Sequence, residues 1–199
     1  MAVTVPEDAA ALLGAGALAL LPTDTVYGIA AAAGHVEACA RLYRLKQRPA
    51  SQPTAIMLGS VDALLADALP RTDERAAALC RSLLPGPVTL IVPNPGRRFP
   101  HLCGDDPDRI GVRVAELEPA VAGLADAAGG LLITSANLRG GPDPARLDQV
   151  PAELRAAAAF AVDGGRLPGR PSAVIDVTGP EPRVLRDGPG MEAALRAIA

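Results

Sequence analysis

At 199 residues, with 49% hydrophobic and 21% charged side chains, the chain is long enough to bury a core without disulfides or structural metals, and reads as one domain over residues 1–199. A net charge of −3 gives bulk electrostatics no reason to attract nucleic acid, and aromatics at 2% are too few for a base-stacking platform. No basic and apolar leader opens the sequence and no apolar run is long enough to cross a bilayer, so a cytoplasmic protein away from membranes is expected.

In chain order, "PEDAAALLGAG" predicts a helix entered through Pro6, Glu7 and Asp8, and "ALALLP" a buried strand. "HVEACARLYRLKQR" has helical spacing and must end by residue 48, because Pro49 follows. "AIML" predicts a strand, then "SVDALLADAL" and "TDERAAALCRSLL" two helices, then a β-branched strand at residues 88–92 after a Pro-Gly-Pro turn. "IGVRV" is a strand, residues 117–128 a helix, and "LLITSAN" a strand ending in polar residues. A helix near residues 151–159, strands at "AFAV", "SAVIDV" and "RVL", and a terminal helix "MEAALRAIA" complete the chain. About seven strands with helices between them predict an α/β or α+β sheet domain.

Cys39, Cys80 and Cys103 are an odd set without a CxxC, so neither a disulfide framework nor a zinc knuckle is expected. His35 with Cys39, and His101 with Cys103, complete no tetrahedral ligand set and suit core or surface filling. "GGRLPGRPS" has the glycine spacing of a Walker A loop but Arg170 and Pro171 where Lys and Ser or Thr are required, and no GxSxG elbow occurs.

Three polar clusters lie where apolar elements run out, the usual ligand position in α/β sheets. They are "PTDTVYG" (residues 22–28), Lys46-Gln47-Arg48, and "ITSAN" (residues 133–137). The first and third equally suit turns capped by their own side chains. Lys46 is the sole lysine among 19 cationic side chains. A helix dipole would accept arginine at this position as readily. Lysine offers instead a compact point charge suited to a phosphate oxygen.

"LLPTDTVYGIAA", "YRLKQRP", "LLPGPVTLIV", "IGVRV", "LLITSANLRGG", "SAVIDVTG" and "VLRDG", in this order, resemble the YrdC-like L-threonylcarbamoyladenylate synthases, in their short single-domain form. The resemblance implies a strongly twisted mixed sheet with helices around an open electropositive cavity. It also implies an enzyme that makes threonylcarbamoyl-AMP and pyrophosphate from L-threonine, bicarbonate and ATP with Mg²⁺. Separate transfer proteins would then carry the product to tRNA, beside the anticodon. Lys46 and Arg48 fall on the family's KxR motif toward the ATP phosphates, and Gln52, Asn137 and Arg186 on nucleotide-contacting positions. Thr25, Arg113, Ser135 and Ser172 fall on threonine-binding positions, with Tyr27 walling the same pocket. The cations at 46, 48, 113 and 186 must then share one hollow.

Two departures stand out: Met57 occupies the place of a histidine near threonine, and Ala145 that of a threonine near ATP. Residues 139–144 are a candidate lid by composition. A double-stranded RNA-binding module, with only weak RNA binding compatible with the acidic charge, and a carbamoyl-adenylate-forming domain are the alternative readings.

Overall fold

A computed structural model describes residues 3–68 and 74–198. Nine strands form one sheet: β1 (Ala19–Pro22), β2 (Tyr27–Ala32), β3 (Ile56–Leu58), β4 (Val88–Pro93), β5 (Arg109–Val114), β6 (Leu131–Ser135), β7 (Phe160–Ala161), β8 (Ala173–Asp176) and β9 (Arg183–Arg186). Their spatial order is β7-β1-β2-β6-β3-β5-β4-β8-β9. Pairings β7·β1, β3·β5 and β4·β8 are parallel and the remaining five antiparallel, so the sheet is mixed, as expected.

The helices are α1 (Ala9–Gly14), α2 (Val36–Leu45), α3 (Val61–Ala63), α4 (Glu74–Leu83), α5 (Pro119–Ala127), α6 (Ala152–Ala157) and α7 (Met191–Ile198). Ser60 caps α3 by accepting from the Ala63 amide, and a π-helical turn, Leu64–Ala68, continues it. The expected helices at "SVDALLADAL" and "TDERAAALCRSLL" extend into residues 69 and 72–73, which lie outside the described residues. No helix among the described residues is long and apolar enough to cross a membrane.

Alternation along the strands divides the side chains between two faces. On one face, Leu20, Ile29, Ile56, Leu132, Val112, Leu90 and Ile175 pack with Leu42 and Tyr43 of α2 and with Leu79 and Cys80 of α4. On the other, α1 and α5 cover only part of the sheet, where Leu13, Val121 and Leu124 meet Leu21, Ala30, Met57 and Leu131. Over the rest of that face, on β5, β4 and β8, none of the residues lining the open space is helical among the described residues. Arg109, Gly111, Arg113, Thr89, Ile91, Val174 and Asp176 there line a cavity of about 630 Å³.

β2 is the strand that sequence reasoning missed. "YGIAAA" is alanine-rich with Ile29 its one β-branched residue, yet all six residues are buried between β1 and β6. Gly28 permits this packing: a Cβ there would lie 2.6 Å from Ile133 Cγ1.

Candidate functional site

Helix α2 ends in a Schellman motif built on Gln47, whose φ of 50° lies in the left-handed region. The Arg48 amide donates to Tyr43 O at 2.9 Å and the Gln47 amide to Arg44 O at 3.0 Å. This reversal turns Lys46 and Arg48 off the helix toward the end of β6. Lys46 is 8% exposed, and its Nζ donates to Ser135 O (2.6 Å), Asn137 Oδ1 (2.6 Å) and Asn137 O. Burial, then the Arg48 charge, lowers its pKa to about 8, with Asp143 opposing. The three oxygens favour the ammonium form, the only one that supplies three donors.

Arg48 lies 5.8 Å from the Tyr43 ring centroid and donates through Nη2 to Pro53 O. Asn137 is held from both ends: its Oδ1 accepts from Lys46 and from the Ser135 hydroxyl (2.9 Å), while Nδ2 donates to Gly141 O (2.7 Å) and Asp143 Oδ1 (3.2 Å). Since Pro144 O also accepts from the Tyr27 amide at 2.9 Å, residues 141–144 of the candidate lid are tied to the sheet.

The "TDTV" turn between β1 and β2 divides its labour. Thr23 Oγ1 makes the turn itself, donating to Val26 O (2.7 Å) and accepting from the Thr25 and Val26 amides (3.2 Å each). Asp24 and Thr25 are thereby free to meet Arg113 Nη2, through Asp24 Oδ1 and through Thr25 Oγ1 at 2.8 Å. Burial pushes the Arg113 pKa down and Asp24 opposes that shift. Arg113 Nε is buried and unpartnered among the described residues. Such a donor is costly to leave unmade, and an anion arriving in the cavity would satisfy it.

Arg48, Arg113 and Arg186 line the same cavity, together with Gln52, Ser135 and Ser172. Ser172 is fixed by Thr89 Oγ1 at 3.0 Å and by Arg186, whose Nε and Nη2 donate to its carbonyl (3.0 Å) and hydroxyl (3.2 Å). Lys46 lines an adjoining pocket of about 220 Å³ that shares Arg48, Gln52, Thr134 and Ser135 with the larger space. Three of the four cations expected in one hollow, Arg48, Arg113 and Arg186, share the main cavity, whereas Lys46 lines the neighbouring pocket. At the far end of the main cavity Asp176 accepts from Arg109 and Arg183, at 3.2 Å each, so carboxylates face that end.

Thr25, expected to bind threonine, and Tyr27, expected to wall its pocket, are not among the residues that line the cavity. Thr25 is fully buried behind Arg113 and does not line the cavity. Tyr27 is also fully buried, and its hydroxyl is engaged by Asp163 Oδ1 (2.8 Å), Gly165 O (2.8 Å) and the Gly164 amide (2.9 Å). Burial and the Asp163 bond raise its pKa to about 12. It anchors the "GGRLPGRPS" strap, which is tied further by Gly169 N to Thr25 O (2.8 Å) and leads to Ser172. Met57 is fully buried beside Arg113 in the β3·β5 register. The histidines are structural: His35 caps α2, and His101 Nε2 meets Ala33 O at 2.9 Å. Asp143 is a residue of the site that no motif disclosed, and Asp24, the carboxylate of the "PTDTVYG" cluster, finds its partner in Arg113.

The Sua5/YciO/YrdC family model, described as telomere recombination, matches residues 11–188. The chain belongs to this family. A Mycobacterium tuberculosis protein named putative threonylcarbamoyl-AMP synthase is 33% identical over 187 residues, 92% of this chain and 83% of that one. The threonylcarbamoyl-AMP synthase of Pyrococcus abyssi is 33% identical over 90% of this chain, which spans 53% of its length. A crystal structure of P. abyssi Sua5 complexed with L-threonine superposes with a TM-score of 0.76 at 31% identity, covering 90% of this chain and 53% of that one. The Sua5-like likeness thus extends over the sheet and over every element that carries the site.

Proposed function

We propose that this protein is a threonylcarbamoyl-AMP synthase: an enzyme of the nucleotidyltransferase type that converts L-threonine, bicarbonate and ATP into threonylcarbamoyl-AMP and pyrophosphate. The observation that carries the reading is the buried Arg113, with a free Nε, in one cavity with Arg48 and Arg186. One amino-acid carboxylate and one polyphosphate repel each other, and this arrangement offers each its own cations.

The threonine carboxylate binds at Arg113, oriented by the Ser135 and Ser172 hydroxyls, while Asp24 and Thr25 hold the guanidinium from behind. The threonine amine takes up the bicarbonate carbon with loss of water. A carbamate oxygen then attacks the α-phosphorus and the bond to pyrophosphate breaks. Arg48 and Arg186 meet the phosphate charge, and Lys46 fixes Asn137 and Ser135 beside it. No side chain need act as nucleophile, so catalysis is positioning and charge stabilisation.

Among the described residues no group of three or more His, Cys, Asp or Glu side chains could hold a metal alone. Mg²⁺ fits as a companion of the ATP phosphates, with Asp143, whose charge acts on both Lys46 and Arg186, as the carboxylate on the protein side. Bound there, it would offset phosphate charge.

Transfer proteins that pass the group to tRNA are part of this proposal, with RNA contact by this chain at most weak. So is a cytoplasmic location, in keeping with three buried, unpaired cysteines. Incubation with ATP, Mg²⁺, bicarbonate and each amino acid in turn, with adenylates identified by mass, tests the reading. Threonylcarbamoyl-AMP is expected with threonine; ATP consumption driven by carbamoyl phosphate, or none, rejects it.

A further inference from the structure

Tyr43, on α2, and Thr54, just before β3, form a hydroxyl pair. The two residues are 7% and 8% exposed, and their oxygens lie 2.8 Å apart. The phenol also lies 3.2 Å from the carbonyl oxygen of Gln52. A carbonyl only accepts, so the single phenolic hydrogen goes to Gln52, and burial, which raises the Tyr43 pKa, keeps the phenol protonated. Thr54 must then donate its own hydrogen to the Tyr43 oxygen. With that hydrogen spent, Thr54 Oγ1 can only accept from whatever else reaches it.

Thr54 lines the main cavity, and so does Asp105, an exposed carboxylate that enters no ion pair among the described residues. Their two segments are packed together. The Thr54 amide donates to Leu102 O at 2.9 Å, and a Cβ on Gly104 would lie 2.3 Å from Ser51 O and 3.1 Å from Pro53 Cδ. Thr54 and Asp105 therefore offer a ligand two acceptors and no donor. Gln52 borders both hollows, whereas Thr54 borders only the larger one. Two residues of chain span at most about 7 Å, so Thr54 stands about one sugar beyond the end where Arg48 and Gln52 meet phosphate. The vicinal hydroxyls of ribose are donors of the kind that a carboxylate accepts in dinucleotide sites.

We propose that Thr54, with Tyr43 fixing the direction of its hydrogen bond, accepts from a ribose hydroxyl of the bound nucleotide, with Asp105 as the neighbouring acceptor, and so discriminates ribonucleotides from deoxyribonucleotides. Tyr43 acts through Thr54 and is a positioning residue. The inference rests on the synthase reading for the presence of a nucleotide, and on the hydroxyl chain for the sense of the contact.

The test is calorimetric titration of the full chain with ATP, 2′-deoxy-ATP, 3′-deoxy-ATP and inosine triphosphate. Wild type is expected to bind at least one deoxy analogue roughly tenfold more weakly than ATP, because the missing donor leaves a nearly buried acceptor unmade. Thr54→Val should bind ATP and that analogue alike, and Thr54→Ser, which keeps the hydroxyl, should retain the ratio. Tyr43→Phe frees the Thr54 hydrogen to turn into the cavity and should shrink the ratio to about threefold or less. Each ratio is taken within one protein, so a merely structural role at either position would weaken all nucleotides together and leave it unmoved. Equal wild-type affinity for ATP and both deoxy analogues, or an undiminished ratio in Thr54→Val, overturns the proposal. So does a Thr54→Val protein that loses its preference over inosine triphosphate instead, since Thr54 would then read the amino group of the base. Ribose selection by a protein that forms no threonylcarbamoyl-AMP would remove the synthase reading and leave this contact. Adenylates formed equally well from ATP and both deoxy analogues would remove the contact and leave the synthase.

Discussion

Asp24 and Arg113, 89 residues apart in sequence, form an ion pair whose side chains are 8% and 10% exposed. The carboxylate also accepts from the Glu116 amide at 3.3 Å, while Arg113 Nε is unpartnered among the described residues. Removing one partner of a buried pair leaves the other charge uncompensated. Asp24→Ala should therefore lower stability by about 3 kcal/mol in a urea titration. Asp24→Asn, which keeps the shape, should raise the KM for threonine several-fold with ATP affinity unaltered. An unmoved unfolding midpoint in the alanine variant, with normal threonine kinetics in the asparagine variant, would remove Asp24 from the site.

Arg113→Lys keeps a positive charge but loses the Nε donor and the fork. Threonine affinity should fall by roughly tenfold or more, as for any lost hydrogen bond between charged groups. Wild-type threonine binding in that variant, measured by calorimetry, would show that Nε is not the ligand contact.

Lys46 sets a pH limit. Its pKa, lowered to about 8 by burial and by Arg48, means the folded protein loses this charge as pH rises through about 8. A neutral amine has two donors for three oxygens, so the Ser135–Asn137 turn loosens and ATP affinity should decline above that pH. Stability moves the other way. An unfolded lysine keeps its proton to about pH 10.4, so between about 8 and 10.4 the unfolded chain binds more protons, and this group's contribution favours the fold as pH rises. Lys46→Ala should reduce threonine-dependent pyrophosphate release by at least roughly tenfold. Lys46→Arg should be impaired as well, but without a decline of ATP affinity centred near pH 8. Parallel ATP titration curves for wild type and Lys46→Arg across pH 7–9.5 would refute the assignment.

Tyr27→Phe deletes a hydroxyl with three neighbours on the 163–165 segment. The loss should be about 1–3 kcal/mol, because Gly164 N loses its acceptor and Asp163 a donor. Threonine KM should change through the strap that leads to Ser172, more than kcat does. Stability equal to wild type would mean that the strap is held elsewhere.

At Gln47 the backbone adopts the left-handed conformation at a cost that glycine avoids. Gln47→Gly should raise the denaturation midpoint, by an amount on the order of 0.5 kcal/mol. Gln47→Val should lower it by more. A destabilised glycine variant would show that the Gln47 side chain contributes more than its backbone conformation costs.

Much of this was readable in the sequence because it is local. Apolar periodicity located α2, β4 and β5, and the end of each apolar run marked the polar clusters. β2 was not legible, since a run of alanines becomes a strand only when neighbours on both sides bury it. The Asp24–Arg113 pair and the Lys46–Asn137 bond join residues 89 and 91 apart, and no spacing rule reaches across such distances. Tyr27 is a further case: the family resemblance implied a pocket wall, and the bond from its hydroxyl to Asp163, 136 residues away, ties it to the strap in a way that no local pattern shows.

Helices α1 and α5 roof only part of one sheet face, and so neighbouring positions on a single strand answer to different demands. Along β5, residues 110, 112 and 114 are immersed in oil, whereas 109, 111 and 113 open on the chemistry. An evolving descendant could therefore retune what it accepts at every second position while leaving its folding untouched, with adaptation and endurance interleaved one residue apart.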